Sequence, residues 1–171
     1  MPMIRLFQEG DWQAVWGMLE PVFRAGQTYV YLPEITEQEA RGVWVDEPRA
    51  TYVVEDGGEL LGTYYLKANQ PGLGAHICNC GYIVSENARA RGVASSMCEH
   101  SQAEAVSKGF RGMQFNLVVS TNKGAIRLWE RLGFKIVGTL PGAFCHPEMG
   151  YVDAHIMFKN LKTEQGVAPK A

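Results

Sequence analysis

Residues 82–94 read Tyr82-Ile83-Val84-Ser85-Glu86-Asn87-Ala88-Arg89-Ala90-Arg91-Gly92-Val93-Ala94. A β-rich run ends at Val84, and a helix is predicted from about Val93 to Lys108, with Gly109 closing it. Gly92 therefore stands where a strand hands over to a helix. A glycine in a tight turn at that point lets successive backbone N–H groups converge, and the helix dipole adds roughly half a positive charge there. A phosphate or pyrophosphate is the natural ligand, and Arg89 and Arg91 are placed to add charge-assisted bonds. The turn is not a Walker A loop, because G-x-x-x-x-G-K-[ST] is absent, and it is not a dinucleotide fingerprint, because no G-x-G-x-x-G occurs. Taken alone, such a turn also has the plainer reading of an ordinary helix start.

Working outward, His76 to Val84 reads as the strand that leads into this turn, and Gly112 to Val119 as the strand after the helix. Asn122 then opens a short helix that Gly133 ends, and Phe134 to Leu140 and Tyr151 to Phe158 supply two further strands. Upstream, Thr51 to Glu55 and Leu60 to Lys67 form a hairpin around Asp56-Gly57-Gly58. Ile4 to Phe7 is a first short strand. Asp11 caps a helix carrying Trp12, Val15, Trp16, Leu19 and Phe23, which Pro21 is expected to kink or end. Thr36 and Glu39 form a capping box before a second helix through Ala40, Val43 and Trp44. The alternation predicts one α/β (α+β) domain over residues 1–162, followed by a polar tail, 163–171, read as disordered.

Composition narrows the class of function. In 171 residues, Lys plus Arg is 16 and Asp plus Glu is 18, for a net charge of −2, which argues against binding a polyanion such as nucleic acid. Apolar runs are too short to span a membrane, and the N-terminus lacks the pattern of a signal peptide. The expectation is a cytoplasmic protein whose Cys78, Cys80, Cys98 and Cys145 stay reduced.

The second motif-bearing segment runs from Asn116-Leu117-Val118-Val119 through Ser120-Thr121-Asn122 to Gly133-Phe134. Together with Arg89, Gly92 and Ala94, which match R/Q-x-x-G-x-A/G, it resembles the GCN5-related N-acetyltransferase (GNAT) superfamily from Ile4 to Leu161. The resemblance implies a mixed, mostly antiparallel sheet of about seven strands flanked by about four helices. It implies acetyl-CoA in a cleft between the strands ending near Val84 and Val119, contacted by Ile83, Val84, Arg89, Arg91, Gly92, Val93, Ala94 and Asn122. The backbone N–H of Val84 or Ile83 is then expected to meet the thioester oxygen. Asn79-Cys80-Gly81-Tyr82, Phe115-Asn116-Leu117-Val118, Thr121-Asn122 and Val152-Asp153-Ala154 resemble, more closely, the branch containing the yeast proline-analogue (azetidine-2-carboxylate) acetyltransferase. That branch implies a small amino acid as acceptor, with Asn79, Asn116 and Leu117 at its pocket and Asn122 and Asn116 as catalytic residues. A neutral amide suits that place, since it can meet a carboxylate without competing as a nucleophile. A backbone-bonded turn or strand-edge amide is the alternative for each Asn.

Where many family members carry a Tyr acid in the helix after the Asn, this chain has Trp129, whose indole cannot supply a proton; it is expected to pack. Tyr151 and Cys145 remain as acids by default, with water sufficing for a thiolate leaving group. His76, Glu20, Glu34 and a water chain are the candidate bases. Alternation puts His76, Cys78 and Cys80 on one strand face, yet alternate residues stand roughly 7 Å apart, too far to close on one metal ion. Lys123, Arg127 and Arg131 recur every four residues and read as a solvated face or as partners of the adenosine 3′-phosphate. Trp12 and Trp16 read as core or as a lid on the acceptor pocket. Homodimerisation through the late strands is a further expectation. The competing functions are acetylation of a protein or peptide amine, and a non-catalytic acyl-CoA sensor.

Overall fold

The computed structural model describes residues 1–161, so the tail at 163–171 lies outside the described residues. Seven strands form one sheet in the order β1-β2-β3-β4-β5-β7-β6. They are β1 (Met3–Leu6), β2 (Ala50–Asp56), β3 (Glu59–Ala68), β4 (Ile77–Val84), β5 (Gly112–Val119), β6 (Lys135–His146) and β7 (Gly150–Asn160). Every neighbouring pair is antiparallel except β4 and β5. The helices are α1 (Trp12–Ala25), α2 (Glu37–Arg41), α3 (Val93–Ser107) and α4 (Lys123–Arg131). This is the mixed architecture that the motifs implied.

The sheet is covered on both faces. Trp12, Val15, Leu19 and Phe23 of α1 pack with Trp44, Val53, Tyr65 and Ile83 on one side. On the other, Val93, Met97 and Cys98 of α3 and Ile126 and Trp129 of α4 pack on Tyr64, Leu66, Met113 and Phe115. A Cβ at Gly62 would stand 3.0 Å from both Val93 and Met97, so the glycine is what lets the start of α3 lie close on β3.

Four local expectations change. Pro21 lies inside α1 rather than ending it: it is exposed, and the buried Leu19 and Phe23 on either side anchor the helix, outweighing a proline cost of about 3 kcal/mol. The Thr36–Glu39 box forms, with the Glu39 N–H donating to Thr36 Oγ1 at 3.2 Å and the Thr36 N–H to Glu39 Oε2 at 2.8 Å. Its helix, however, gives way after Arg41 to one wide π-helical turn, Gly42–Asp46, that inserts Trp44 into the core. The residues left between the two late predicted strands, 141–150, are instead the end of β6, a short turn and the first residue of β7. Asp11 caps α1 by position only, its carboxylate being held by Arg5.

Candidate functional site

β4 and β5 pair only at Ile77↔Gly112 and Cys78↔Met113. Beyond those two positions the strands part, and a cavity of about 1010 Å³ occupies the wedge between them. Strand geometry fixes which backbone groups face it. The carbonyl of His76 accepts from Arg111 N–H at 2.8 Å on the β5 side, whereas that of Ile77 accepts from Asn69 N–H at 2.8 Å on the β3 side. Along an unbulged strand this alternation continues, so the N–H and C=O groups of Cys80, Tyr82 and Val84 face the wedge. Ile83 lines the cavity, but its backbone pairs with Thr63 of β3. Of the two N–H groups expected to meet the thioester oxygen, only that of Val84 points the right way.

Side chains hold the wedge open at a fixed width. Asn79, 7% exposed, donates from Nδ2 to the Gln114 carbonyl at 2.9 Å, just past the last backbone pair. Its Oδ1 accepts from the Tyr65 hydroxyl at 3.1 Å. Tyr29 donates to the Tyr82 carbonyl at 3.0 Å, satisfying one group that β5 has abandoned. Asn79 is thus a strut with one amide hydrogen left for a ligand. A bulge in β5 between Phe115 and Val118 turns both Asn116 and Leu117 toward the cavity, which consecutive residues of a regular strand cannot share. Asn116 is exposed, donates to Asn69 Oδ1 at 2.7 Å and accepts from Gln114 Nε2 at 3.0 Å.

At the far end of β4 the chain enters the turn before α3. Gly92 has φ +79° and caps α3 with no side-chain bond to the first turn. Ala90 also adopts a left-handed φ, +62°, a conformation costing a non-glycine residue about 1–2 kcal/mol. Amides at the start of a helix have no intrahelical partner, and Val93, Ala94 and Ser95 all line the cavity with Gly92 and Arg89. Arg91 does not: its guanidinium is 3.9 Å from Asp56, outside the lining. Asn122 lines the opposite wall and caps α4, its Oδ1 accepting from Ala125 N–H at 3.3 Å. Arg131 joins it there, while Lys123 and Arg127 stay outside.

The proton-transfer candidates fare differently. Trp129 is buried against Tyr82 and Phe115, at centroid distances of 5.1 and 5.2 Å, as a packing residue should be. His76 is exposed beside the end where β4 and β5 are still paired, Glu20 is tied to Arg24 at 3.3 Å, and Glu34 is exposed; none lines the cavity. Tyr151 is 81% exposed and Cys145 is on the surface, both away from the wedge. Trp12 and Trp16 stack at 6.3 Å in the α1 layer and form no lid. Among the described residues no group of three His, Cys, Asp or Glu side chains is placed to hold a metal, and no helix is long and apolar enough to cross a membrane.

What the lining does contain is tyrosine and cation. Burial pushes the hydroxyls of Tyr29, Tyr65 and Tyr82 upward, so they stay protonated hydrogen-bond donors. Tyr29, Tyr31, Tyr65, Lys67 and Asn69 were not singled out from the sequence. The one signal was Lys67, two residues after Tyr65 and so on the inward face of β3. The cavity takes walls from both layers, with Tyr29, Tyr31 and Tyr65 from the α1 side and Val93, Ala125 and Trp129 from the α3–α4 side. It passes through the sheet, so two molecules can approach from opposite faces and meet at the open edge of β4.

Residues 12–134 match the family model described as the Acetyltransferase (GNAT) family. N-acetyltransferase aca1 of Schizosaccharomyces pombe is 41% identical over 108 residues, 63% of this chain and 52% of that protein, so the chain spans about half the length of that curated relative. A GCN5-related N-acetyltransferase from Kribbella flavida superposes with a TM-score of 0.89 at 40% identity, over 94% of this chain and 98% of that one. A phosphinothricin acetyltransferase from Sinorhizobium meliloti, solved in complex with acetyl-CoA, shares the fold at a TM-score of 0.82 and 18% identity, over 98% of this chain and 96% of that one.

Proposed function

The chain belongs to the acetyltransferase (GNAT) family, whose co-substrate is acetyl-CoA, and from that premise we propose that it acetylates the amine of a small amino acid or related metabolite by direct attack. The observation that carries the reading is the wedge itself: one open strand edge reached from both faces of the sheet. The residues present suit acetyl-CoA. The uncapped amides of Val93, Ala94 and Ser95, with Arg89 beside them, form an anion cradle suited to a pyrophosphate. The gap-facing backbone of Val84, Tyr82 and Cys80 offers an extended edge along which the pantetheine amides can pair. When bound, acetyl-CoA supplies an activated thioester.

This chain's own groups then have distinct tasks. Gap-facing N–H groups donate to a carbonyl oxygen in the wedge, where low local polarity strengthens such bonds. Asn79 and Tyr29 keep β4 in place while both ligands are seated. Positioning supplies much of the rate, since a neutral amine held against a thioester needs little else. We place the activity in the cytoplasm, consistent with free thiols at Cys78, Cys80, Cys98 and Cys145. We assign a homodimer contact to the outer strand β6, where Ile136, Val137 and Leu140 are exposed; light scattering at micromolar concentration tests it.

Thiol release from acetyl-CoA, measured against amino acids, imino acids, polyamines and short peptides, tests the function. A small carboxylate-bearing amine should turn over, with KM raised in Asn79→Ala and Asn116→Ala. Turnover of peptides alone would move the acceptor to a macromolecule, and tight acetyl-CoA binding without thiol release from any amine would leave a sensor module instead.

A further inference from the structure

Resting on the acetyl-transfer reading, we infer that Lys67 grips the carboxylate of the acceptor, which makes the acceptor class an amino or imino acid with a free carboxylate. Among the described residues the cavity is lined by three cationic side chains and by no aspartate or glutamate. Arg89 stands at the entrance to α3 and Arg131 at the end of α4, both on the cofactor side. Lys67 is the cation on the other face, on β3, directly across from Asn79 in the strand register. Its Nζ lies 5.2 Å from the centre of the Tyr65 ring, and the hydroxyl of that ring bonds to Asn79 at 3.1 Å. The ammonium is therefore linked through one side chain to the point where β4 and β5 part.

Three features favour a carboxylate here over any other ligand. Lys67 takes part in none of the ion pairs among the described residues. It is half-buried, so its charge is less screened than that of a surface lysine. It also repels a second ammonium, which turns polyamines and lysine side chains away. Size agrees. The amine and carboxylate of an α-amino acid hang from one carbon, and the backbones of Lys67 and its register partner Asn79 stand one strand spacing, about 4.8 Å, apart, with both residues lining the same cavity. A carboxylate on Lys67 thus leaves the amine at the wedge.

The test compares matched acceptors, each an amino acid beside its amide and its decarboxylated amine, in wild type, Lys67→Met and Lys67→Arg. Two readouts are taken: thiol release from acetyl-CoA, and calorimetric binding of the same compounds in the presence of CoA. We expect Lys67→Met to cut the preference for the carboxylate-bearing member by about tenfold to a hundredfold, mainly through KM, the range of a charge-assisted hydrogen bond. Lys67→Arg should retain most of it, which a merely structural role for the side chain would not produce. An undiminished preference in Lys67→Met overturns the assignment while leaving acetyl transfer intact. Loss of carboxylate binding in Lys67→Met, with no thiol release in wild type from any acceptor, upholds the grip and overturns the transfer reading.

Discussion

Gly81→Ala probes whether the acceptor wall is built as described. Gly81 is the register partner of Tyr65, and a Cβ there would stand 2.6 Å from Tyr65 Cε1, 2.9 Å from Cζ and 3.0 Å from the hydroxyl oxygen. The ring is held in place by Trp44, which it meets edge-on at 4.9 Å, and by its bond to Asn79 at 3.1 Å, so moving it breaks both contacts. Overpacking of this kind costs about 1–3 kcal/mol. Displacing the hydroxyl from Asn79 adds about 0.5–1.5 kcal/mol, for a total of roughly 2–4 kcal/mol. For a domain of this length each kcal/mol lowers Tm by about 2–4 °C, so the variant should melt several degrees early. In a Tyr65→Ala background the obstacle is gone, and Gly81 does not have a left-handed φ. There the same substitution should be neutral, or stabilising by about 0.5 kcal/mol through lost chain entropy. Urea unfolding of the four proteins at pH 7 gives the coupling, expected at about 2–4 kcal/mol. If the two substitutions add, steric exclusion by Tyr65 is not why glycine stands at 81, and the reasoning fails.

Gly92→Trp should lose measurable acetyl-CoA binding in calorimetry while its far-ultraviolet dichroism stays native: a Cβ at Gly92 meets nothing within 4 Å, so the cost to the fold is about 1–2 kcal/mol, that of a non-glycine residue at φ +79°, while the indole stands in the anion turn. Unchanged affinity would detach the pyrophosphate from α3. Among the described residues none that lines the cavity is His, Asp or Glu, and burial keeps Tyr29, Tyr65 and Tyr82 protonated, so kcat/KM should rise with pH along the acceptor's own amine titration. Two acceptors of different amine pKa should give two shifted profiles, and a shared limb near neutrality would reveal an enzyme base instead. His100, whose Nδ1 meets the Tyr64 hydroxyl at 2.7 Å, is pulled below its ordinary 6.5 by burial. Its contribution is complete above 6.5 and is lost as pH falls through the lower folded value. Glu104, lowered by its bonds from Lys108 and Tyr52, adds a loss that begins only below about 4.5. The urea midpoint should therefore fall between pH 7 and 5 in wild type and less steeply in His100→Gln, and equal slopes would exclude His100 as the cause.

Local signals were legible wherever a residue's own geometry decides the outcome. The capping box at Thr36 and Glu39, the glycine turn after Asp56, the strand Gly112–Val119 and the helix start at Gly92 all appear where the sequence places them. The wedge was legible only through the family resemblance, which put a cleft between the strands ending near Val84 and Val119, and not from the residue pattern, because residues 79–84 and 114–119 have the same β character whether or not they are paired. Its existence depends on the β5 bulge and on Asn79 bonding to Gln114, both properties of the assembled sheet. Lys67 was hidden for a related reason: it gains its place only through registry with Asn79. His76 drew notice for the chemistry of imidazole and turned out to sit at the paired end of the strands. At Pro21 packing overrode the propensity rule that had marked the end or kink of α1.

That no carboxylate or imidazole of the described residues stands in the wall becomes intelligible when the charges of the cavity are taken together. Lys67, Arg89, Arg131 and the positive end of α3 all present the same sign. Such a field favours every negative or neutral species that acetyl transfer requires: the pyrophosphate, an oxygen gaining charge beside the Val84 N–H, a departing thiolate, and an amine in its uncharged form. A buried glutamate base would oppose three of those four and would itself be held as an unreactive ion pair by Lys67. On the acetyl-transfer reading, a cavity of uniform positive character lowers the need for an acid at Trp129, since the thiolate leaves into a stabilising field, and for a base at His76, since the bound amine sheds its proton to water more readily beside like charge.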